Sequence, residues 1–322
     1  MSGSVSLIGP TALAGLMSQV NPSELVGSDA TTADKPSVAQ TTHFTAATLA
    51  GNELCYSMQA NVSLPRSDGS TIGSERVAIS SGQGSQQGDY SLALLAKDVY
   101  APAVGSIGGF TRLSDGELLT AGIDPASLFD SASGFQAGVY RDSQQYVLSF
   151  AGTNDFSDWL SNIRQATGYD DVQYNQAVAL GKTAKMAFGD ALVITGHSLG
   201  GGLAATAALA SGTFAVTFNA AGVSDYTINR LGMDPTQARI FAGNGGVRCY
   251  SEQYDLPTDA QESTSLIPDA IGHKITLANS DKLTGVDDWL PHKHLERGLS
   301  AHSIDKVISS MSEQQPWERQ YA

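Results

Sequence analysis

ALVITGHSLGGGLAATAALAS (191–211) decides how this chain is read. Its opening residues, ALVITG, have the length and β-branching of a buried strand. Its last thirteen are small and apolar, as in a helix pressed closely against a sheet. Between them Ser198 stands two residues from a glycine on either side. The chain holds 34 glycines in 322 residues, so the bare G-x-S-x-G spacing carries little weight alone. The flanking strand and helix supply the weight. A sharp strand-to-helix turn pushes a hydroxyl into the open and holds its backbone under strain. Gly196 and Gly200 suit such a turn, because larger side chains would collide where strand and helix cross. The helix N-terminus also turns free N–H groups toward the serine, which favours a developing negative charge there.

Strand and helix alternate on both sides of this segment. DYSLALLAKDVY (89–100) sets Leu92, Leu95, Ala96 and Val99 on one helical face, with Asp89 placed to cap it. FQAGVYRD (135–142) and QYVLSFAG (145–152) are strand-like and joined by a short turn. Polar helical stretches follow from about 157 and over 171–188. TFAVTFNAAG (213–222) and GVRCYSEQYD (246–255) are further strands. HSIDKVISSM (302–311) places Ile304, Val307, Ile308 and Met311 on one face of a helix. The expected fold is α/β, a mostly parallel sheet covered by helices. Residues 1–85, rich in Ser, Thr, Ala and Gly, are expected to form a loosely ordered arm, possessing little to bury. Residues 86–322 form the expected catalytic domain.

A serine hydroxyl needs a histidine base, and the histidine needs an acid to fix its tautomer. On an α/β sheet of this kind the chain order is Ser, Asp or Glu, then His. That order sets aside His43 and His197 and leaves His273, His292, His294 and His302. His302 is expected at the start of an amphipathic helix, a rigid mount for a base. PHKH (291–294) reads as a charged, solvated loop, and His273 as a strand or loop residue. Asp255, after a late strand and before Pro257, is the leading acid; Asp225 is its rival and Asp259 a weaker third. Leu199 N–H is expected as one oxyanion donor, with Thr153, in FAGT, the other.

FAGTNDFSDWLSN (150–162), VITGHSLGGGLAA (193–205), FNAAGV (218–223), YSEQYDLP (250–257) and AHSID (301–305) occur in the order seen in class 3 lipases. More narrowly, they resemble the secreted bacterial phospholipases A1 of the Serratia and Yersinia type. The resemblance covers about residues 85–312. It implies an α/β-hydrolase fold, with Ser198 as nucleophile, Asp255 as acid and His302 as base. Thr153 and Leu199 would form the oxyanion hole, and Trp159 and Asn162 would support it structurally. One position departs: Ala151 stands where the family usually carries an arginine. The implied reaction is cleavage of a glycerophospholipid at sn-1 through an acyl-enzyme. A lipid-facing lid is expected near 103–134 or 224–245, where Phe110, Leu118, Leu119, Phe129 and Ile228 occur. Each of these residues equally suits a core.

Composition narrows the partners. A formal charge of −14 leaves no basic footprint for nucleic acid and no long-range attraction to anionic membranes. The expected partners are a phospholipid or membrane-surface substrate and a small accessory or inhibitory protein bound to the arm. The mechanism calls for no cofactor. GYDD (168–171) and NSDKLTGVDD (279–288) offer carboxylates to calcium, but neither fits an EF-hand. Cys55 and Cys249 have no framework spacing and are expected as free thiols. MSGSVSLIGPTALAGLMSQV (1–20) lacks a basic n-region, so secretion without a cleaved signal is expected, with a cytoplasmic location as the alternative. The competing functions are a triacylglycerol lipase, a broad carboxylesterase, and a catalytically silent hydrolase fold that serves as an interaction module.

Overall fold

The computed structural model describes residues 78–153, 172–263, 267–285 and 287–318. The expected helix from 157, with Trp159 and Asn162, lies outside them, as do His43, Cys55 and the GYDD loop. So do residues 1–77 of the expected arm. Residues from Arg76 onward cluster as one compact unit. The expected boundary at residue 85 falls inside that unit. Ile79 is buried, and the Gln145 side chain holds both its N–H and its C=O at 2.7 Å.

In chain order the strands are β1 (Ser106–Ile107), β2 (Phe110–Arg112), β3 (Phe129–Asp130), β4 (Phe135–Arg141), β5 (Tyr146–Phe150), β6 (Leu192–His197), β7 (Ala215–Phe218), β8 (Val247–Glu252) and β9 (His273–Leu277). The helices are α1 (Gln87–Asp98), α2 (Asp115–Thr120), α3 (Val172–Phe188), α4 (Leu199–Ser211), α5 (Asp225–Arg230), α6 (Pro235–Phe241), α7 (Leu256–Ser263), α8 (Pro291–His302) and α9 (Ile304–Gln314). The sheet runs β1-β2-β4-β5-β6-β7-β8-β9, with β3 beside β4. It is mixed. Strands β5 to β9 are parallel, and every pairing before β5 is antiparallel. The antiparallel side begins with a two-residue hairpin turn, Gly108-Gly109, whose φ values of 55° and 86° suit glycine. This is the α/β-hydrolase arrangement: parallel central strands, covering helices, and a serine turn between β6 and α4.

The pleat sorts β6 onto two cores. Leu192 and Ile194 face one side, where Ala177, Leu180 and Ala184 of α3 and the alanines of α4 pack. Val193 faces the other, with Leu92, Leu95 and Ala96 of α1 and Val307 and Met311 of α9. Helix α4 is rich in glycine and alanine because it is enclosed by the sheet and α3. A β-carbon on Gly181 of α3 would come within 2.9 Å of Ala207.

Three local readings are corrected. Gln86, not Asp89, occupies the N-cap of α1; Asp89 sits at N3 and closes a capping box. PHKH is helical, because Pro291 takes the first position of α8, where a missing N–H costs nothing. His302 therefore ends α8 instead of starting the last helix, and Ser303 caps α9. Of the candidate lid residues, Phe110, Leu118 and Ile228 are core, whereas Leu119 and Phe129 are exposed.

Candidate active site

Ser198 sits between β6 and α4 with φ 59° and ψ −128°, a region that costs a non-glycine residue on the order of 1–3 kcal/mol. Surrounding bonds enforce it. Ser198 N–H donates to Phe218 O at 3.0 Å, while Ser198 O accepts from Gly201 and Ala221 N–H at 2.9 Å each. The crossing leaves no room for side chains. A β-carbon on Gly196 would lie 2.2 Å from Gly200 O, and one on Gly200 would lie 2.2 Å from Phe150 O.

Register brings the other groups to the same edge. Phe150, Gly196, Thr217 and Cys249 are successive partners across β5, β6, β7 and β8, so the loops after these strands open together. The turn after β8 carries Asp255, which is fully buried. Its Oδ2 accepts from Thr258 N–H at 3.0 Å and Thr258 Oγ1–H at 2.5 Å. Its Oδ1 lies 2.7 Å from His302 Nδ1, and His302 Nε2 lies 2.9 Å from Ser198 Oγ. The sequence readings of Ser198, Asp255 and His302 thus meet in one hydrogen-bonded line. Arg297 of α8 stacks 3.7 Å over the Tyr254 ring, tying the helix of His302 to the turn of Asp255.

The rejected candidates have other work. Asp225 pairs with Arg239 at 2.7 Å on the surface. Asp259 lies on α7, its carboxyl pushed up by burial. His273 is on the outermost strand, β9. His292 is exposed, and His294 bonds Asp288 O at 2.9 Å. His197 is buried beside His302, with ring centroids 5.0 Å apart. Burial, with His302 adding to it, pushes its pKa down to about 3, so the ring is neutral.

Two supporting residues escaped the sequence reading. Asn219, with φ 42°, donates from Nδ2 to Ala301 O at 2.9 Å and His302 O at 3.2 Å, and accepts from Glu252 N–H at 2.8 Å. It fixes the end of α8 against the sheet. Tyr100, just beyond α1, accepts from Gly152 N–H at 2.8 Å. An Asn directly after an apolar run, in TFNAA, was the available signal for the first. Ala151, in the arginine position, is buried and donates its N–H to Gln136 O at 2.9 Å.

Ser198 and His302 open into a cleft of about 590 Å³, lined also by Leu94, Lys97, Ile107, Thr153 and Ile304. The walls are mostly apolar, and Thr153 and the start of α4 stand near the serine. A group attacked by Ser198 Oγ would have a base, a fixed tautomer and backbone N–H groups at hand. In the acidic loop 279–288, Asp281 pairs with Lys306 at 2.9 Å. Cys249 is a free, buried thiol whose pKa burial raises. No helix among the described residues is long and apolar enough to cross a membrane.

A family model described as a Tle-like phospholipase domain matches residues 91–292. The extracellular phospholipase A1 of Serratia liquefaciens is 73% identical over 240 residues, spanning 74% of this chain and 75% of that protein. Among solved structures, a fungal lipase in an inhibitor complex aligns with TM-score 0.34 and 16% identity over 53% of this chain and 72% of its own. An esterase of Pyrobaculum calidifontis aligns with TM-score 0.28 and 15% identity over 71% and 92%.

Proposed function

Because the chain belongs to the Tle-like phospholipase family, we propose that it is a serine phospholipase A1 that releases the sn-1 fatty acid of glycerophospholipids. The unbroken line from Ser198 through His302 to Asp255 carries this reading. Ser198 Oγ attacks the ester carbonyl as His302 Nε2 takes its proton. Asp255 keeps the second ring proton on Nδ1 and stabilises the imidazolium. The N–H groups of Leu199 and Thr153 receive the oxyanion. His302 then returns the proton to the departing glycerol oxygen, leaving an acyl-Ser198 ester. A water, deprotonated by His302, hydrolyses that ester and restores the hydroxyl. Every proton moves between groups of this chain, its substrate and water, so the reading includes no cofactor. The extracellular description of the Serratia liquefaciens relative supports action outside the cell.

The test is incubation of the protein and its Ser198→Ala variant with a phosphatidylcholine carrying distinguishable sn-1 and sn-2 chains. Release of the sn-1 chain by the unaltered protein alone is expected. Cleavage of a short soluble ester without release from phospholipid would replace this reading by a carboxylesterase. No reaction with either substrate would leave a silent scaffold.

A further inference from the structure

We propose that Tyr100 is a positioning residue that decides which backbone N–H receives the oxyanion. The inference rests on the ester-hydrolase reading above, and not on which lipid is the substrate.

The polarity of the hydrogen bonds around Tyr100 is fixed from both ends. Gly152 N–H can only donate, so the Tyr100 oxygen accepts there, at 2.8 Å. Its single proton must go elsewhere. His197 Nδ1 lies at 3.2 Å and His197 O at 3.4 Å. At the far end, His302 O can only accept, so His197 Nε2 carries the ring proton across 2.7 Å. His197 Nδ1 is therefore a lone pair, and the Tyr100 hydroxyl donates to it. The result is a directed chain from Gly152 through Tyr100 and His197 to the backbone of the base. Neither link titrates near neutrality. Burial holds the Tyr100 hydroxyl up at about 12 and His197 down at about 3.

This chain has a consequence for the oxyanion. The N–H of Gly152 is committed to Tyr100, so the next amide along the turn, Thr153, is the one left to face the cleft it lines. Close packing around Gly152 accompanies this bond. A β-carbon on Gly152 would sit 2.7 Å from the Tyr100 hydroxyl, 2.8 Å from His197 O and 3.1 Å from Ser198 Cβ. No side chain fits at this position without displacing one of these atoms. Without the hydroxyl, the 152–153 turn loses the bond that aims it.

The experiment compares Tyr100→Phe with the unaltered full-length protein on a soluble short-chain ester and on its thiono analogue, whose sulfur accepts hydrogen bonds poorly. For the oxygen ester, kcat is expected to fall about tenfold, the scale of one misplaced hydrogen bond, with KM nearly unchanged. The thiono ester should lose much less, so the oxygen-to-sulfur rate ratio should fall. A general loss of packing would slow both esters alike, and an unchanged ratio therefore overturns the proposal. If Tyr100→Phe does not fold, His197→Phe keeps the hydroxyl and removes the nearer of its two acceptors, Nδ1; a fall in ratio in the same direction is expected, and an unchanged ratio again overturns it. Failure of the unaltered protein on phospholipid, with the ester results intact, would count against the phospholipase reading and leave this one standing.

Discussion

Arg248 and Asp89, 159 residues apart, form a two-point ion pair with both side chains fully buried. Arg248 donates from Nε at 2.9 Å and from a terminal nitrogen at 2.6 Å. Its other terminal nitrogen reaches Ser80 O at 2.6 Å, and Tyr250 O–H donates to Asp89 at 2.7 Å. One knot therefore joins α1, β8 and the chain before α1. Removing one partner leaves the other charge stranded in a medium that cannot solvate it. Arg248→Met is expected to lose about 3–5 kcal/mol of stability by urea denaturation. Asp89→Leu combined with Arg248→Met should recover part of that loss. A single variant within 1 kcal/mol of the unaltered protein would show that the pair contributes little.

The knot also shows where sequence reading stops. The strand ALVITG and the helix after it were legible, because burial on both faces and small residues leave a local record. Ser198, Asp255 and His302 were legible because chain order and turn chemistry restrict each one. Asp89 reads as a cap from its position alone, since nothing near it names an arginine 159 residues later. Tyr100 reads as the end of an amphipathic helix, and its hydroxyl acquires meaning only when β5 and β6 bring Gly152 and His197 beside it. His302 reads as the start of the last helix, because the periodicity of 304–311 is strong and the charged PHKH reads as a solvated loop, whereas His302 ends the helix that Pro291 opens. The outer antiparallel strands β1, β2 and β3 have two or three residues each, too short for any period to register.

Asp255→Asn should remove activity without removing the fold. Both donors of Thr258 point at Oδ2 of Asp255, so the asparagine will turn its oxygen to them. Its NH₂ then faces His302 Nδ1 across the present 2.7 Å contact. That forces the proton onto Nε2, where it meets the Ser198 hydroxyl and the ring no longer serves as base. A fall in kcat of about 10³–10⁴-fold is expected, with KM little changed. Steady-state kinetics on a soluble ester measure it, and a loss below tenfold would mean that Asp255 does not set the tautomer.

Two glycine-to-alanine changes should separate steric need from conformational need. A β-carbon on Gly200 meets the Phe150 carbonyl, a backbone atom that cannot move without shifting β5. Gly212, the left-handed cap of α4 at φ 65°, has nothing within 4 Å. Gly212→Ala is expected to cost about 1 kcal/mol through strain alone. Gly200→Ala should cost several times more, or give no folded protein. Thermal unfolding of the two variants provides the comparison, and equal midpoints would remove close approach as the reason for the glycine in the serine motif.

Glu252, at the end of β8, should make stability fall as pH rises toward neutrality. It is buried; Ser310 Oγ–H reaches Oε1 at 2.9 Å, while Oε2 has no hydrogen-bond partner. Burial raises its pKa from 4.5 to about 7, against opposing pulls from the Ser310 bond and Lys306, with Asp281 and Asp255 adding to the rise. The folded state therefore holds this proton more tightly than the unfolded chain does. Below pH 4.5 both states are protonated and the group makes no difference. Between 4.5 and about 7 the unfolded chain releases the proton first, and stability drops by up to about 3 kcal/mol, a loss complete above 7. Glu252→Gln carries no proton to lose. Relative to the unaltered protein, it should gain unfolding free energy from pH 5 to about pH 7 and then level off in parallel denaturant titrations. A stability difference that stays constant across that range would mean that Glu252 ionises as freely in the fold as in water.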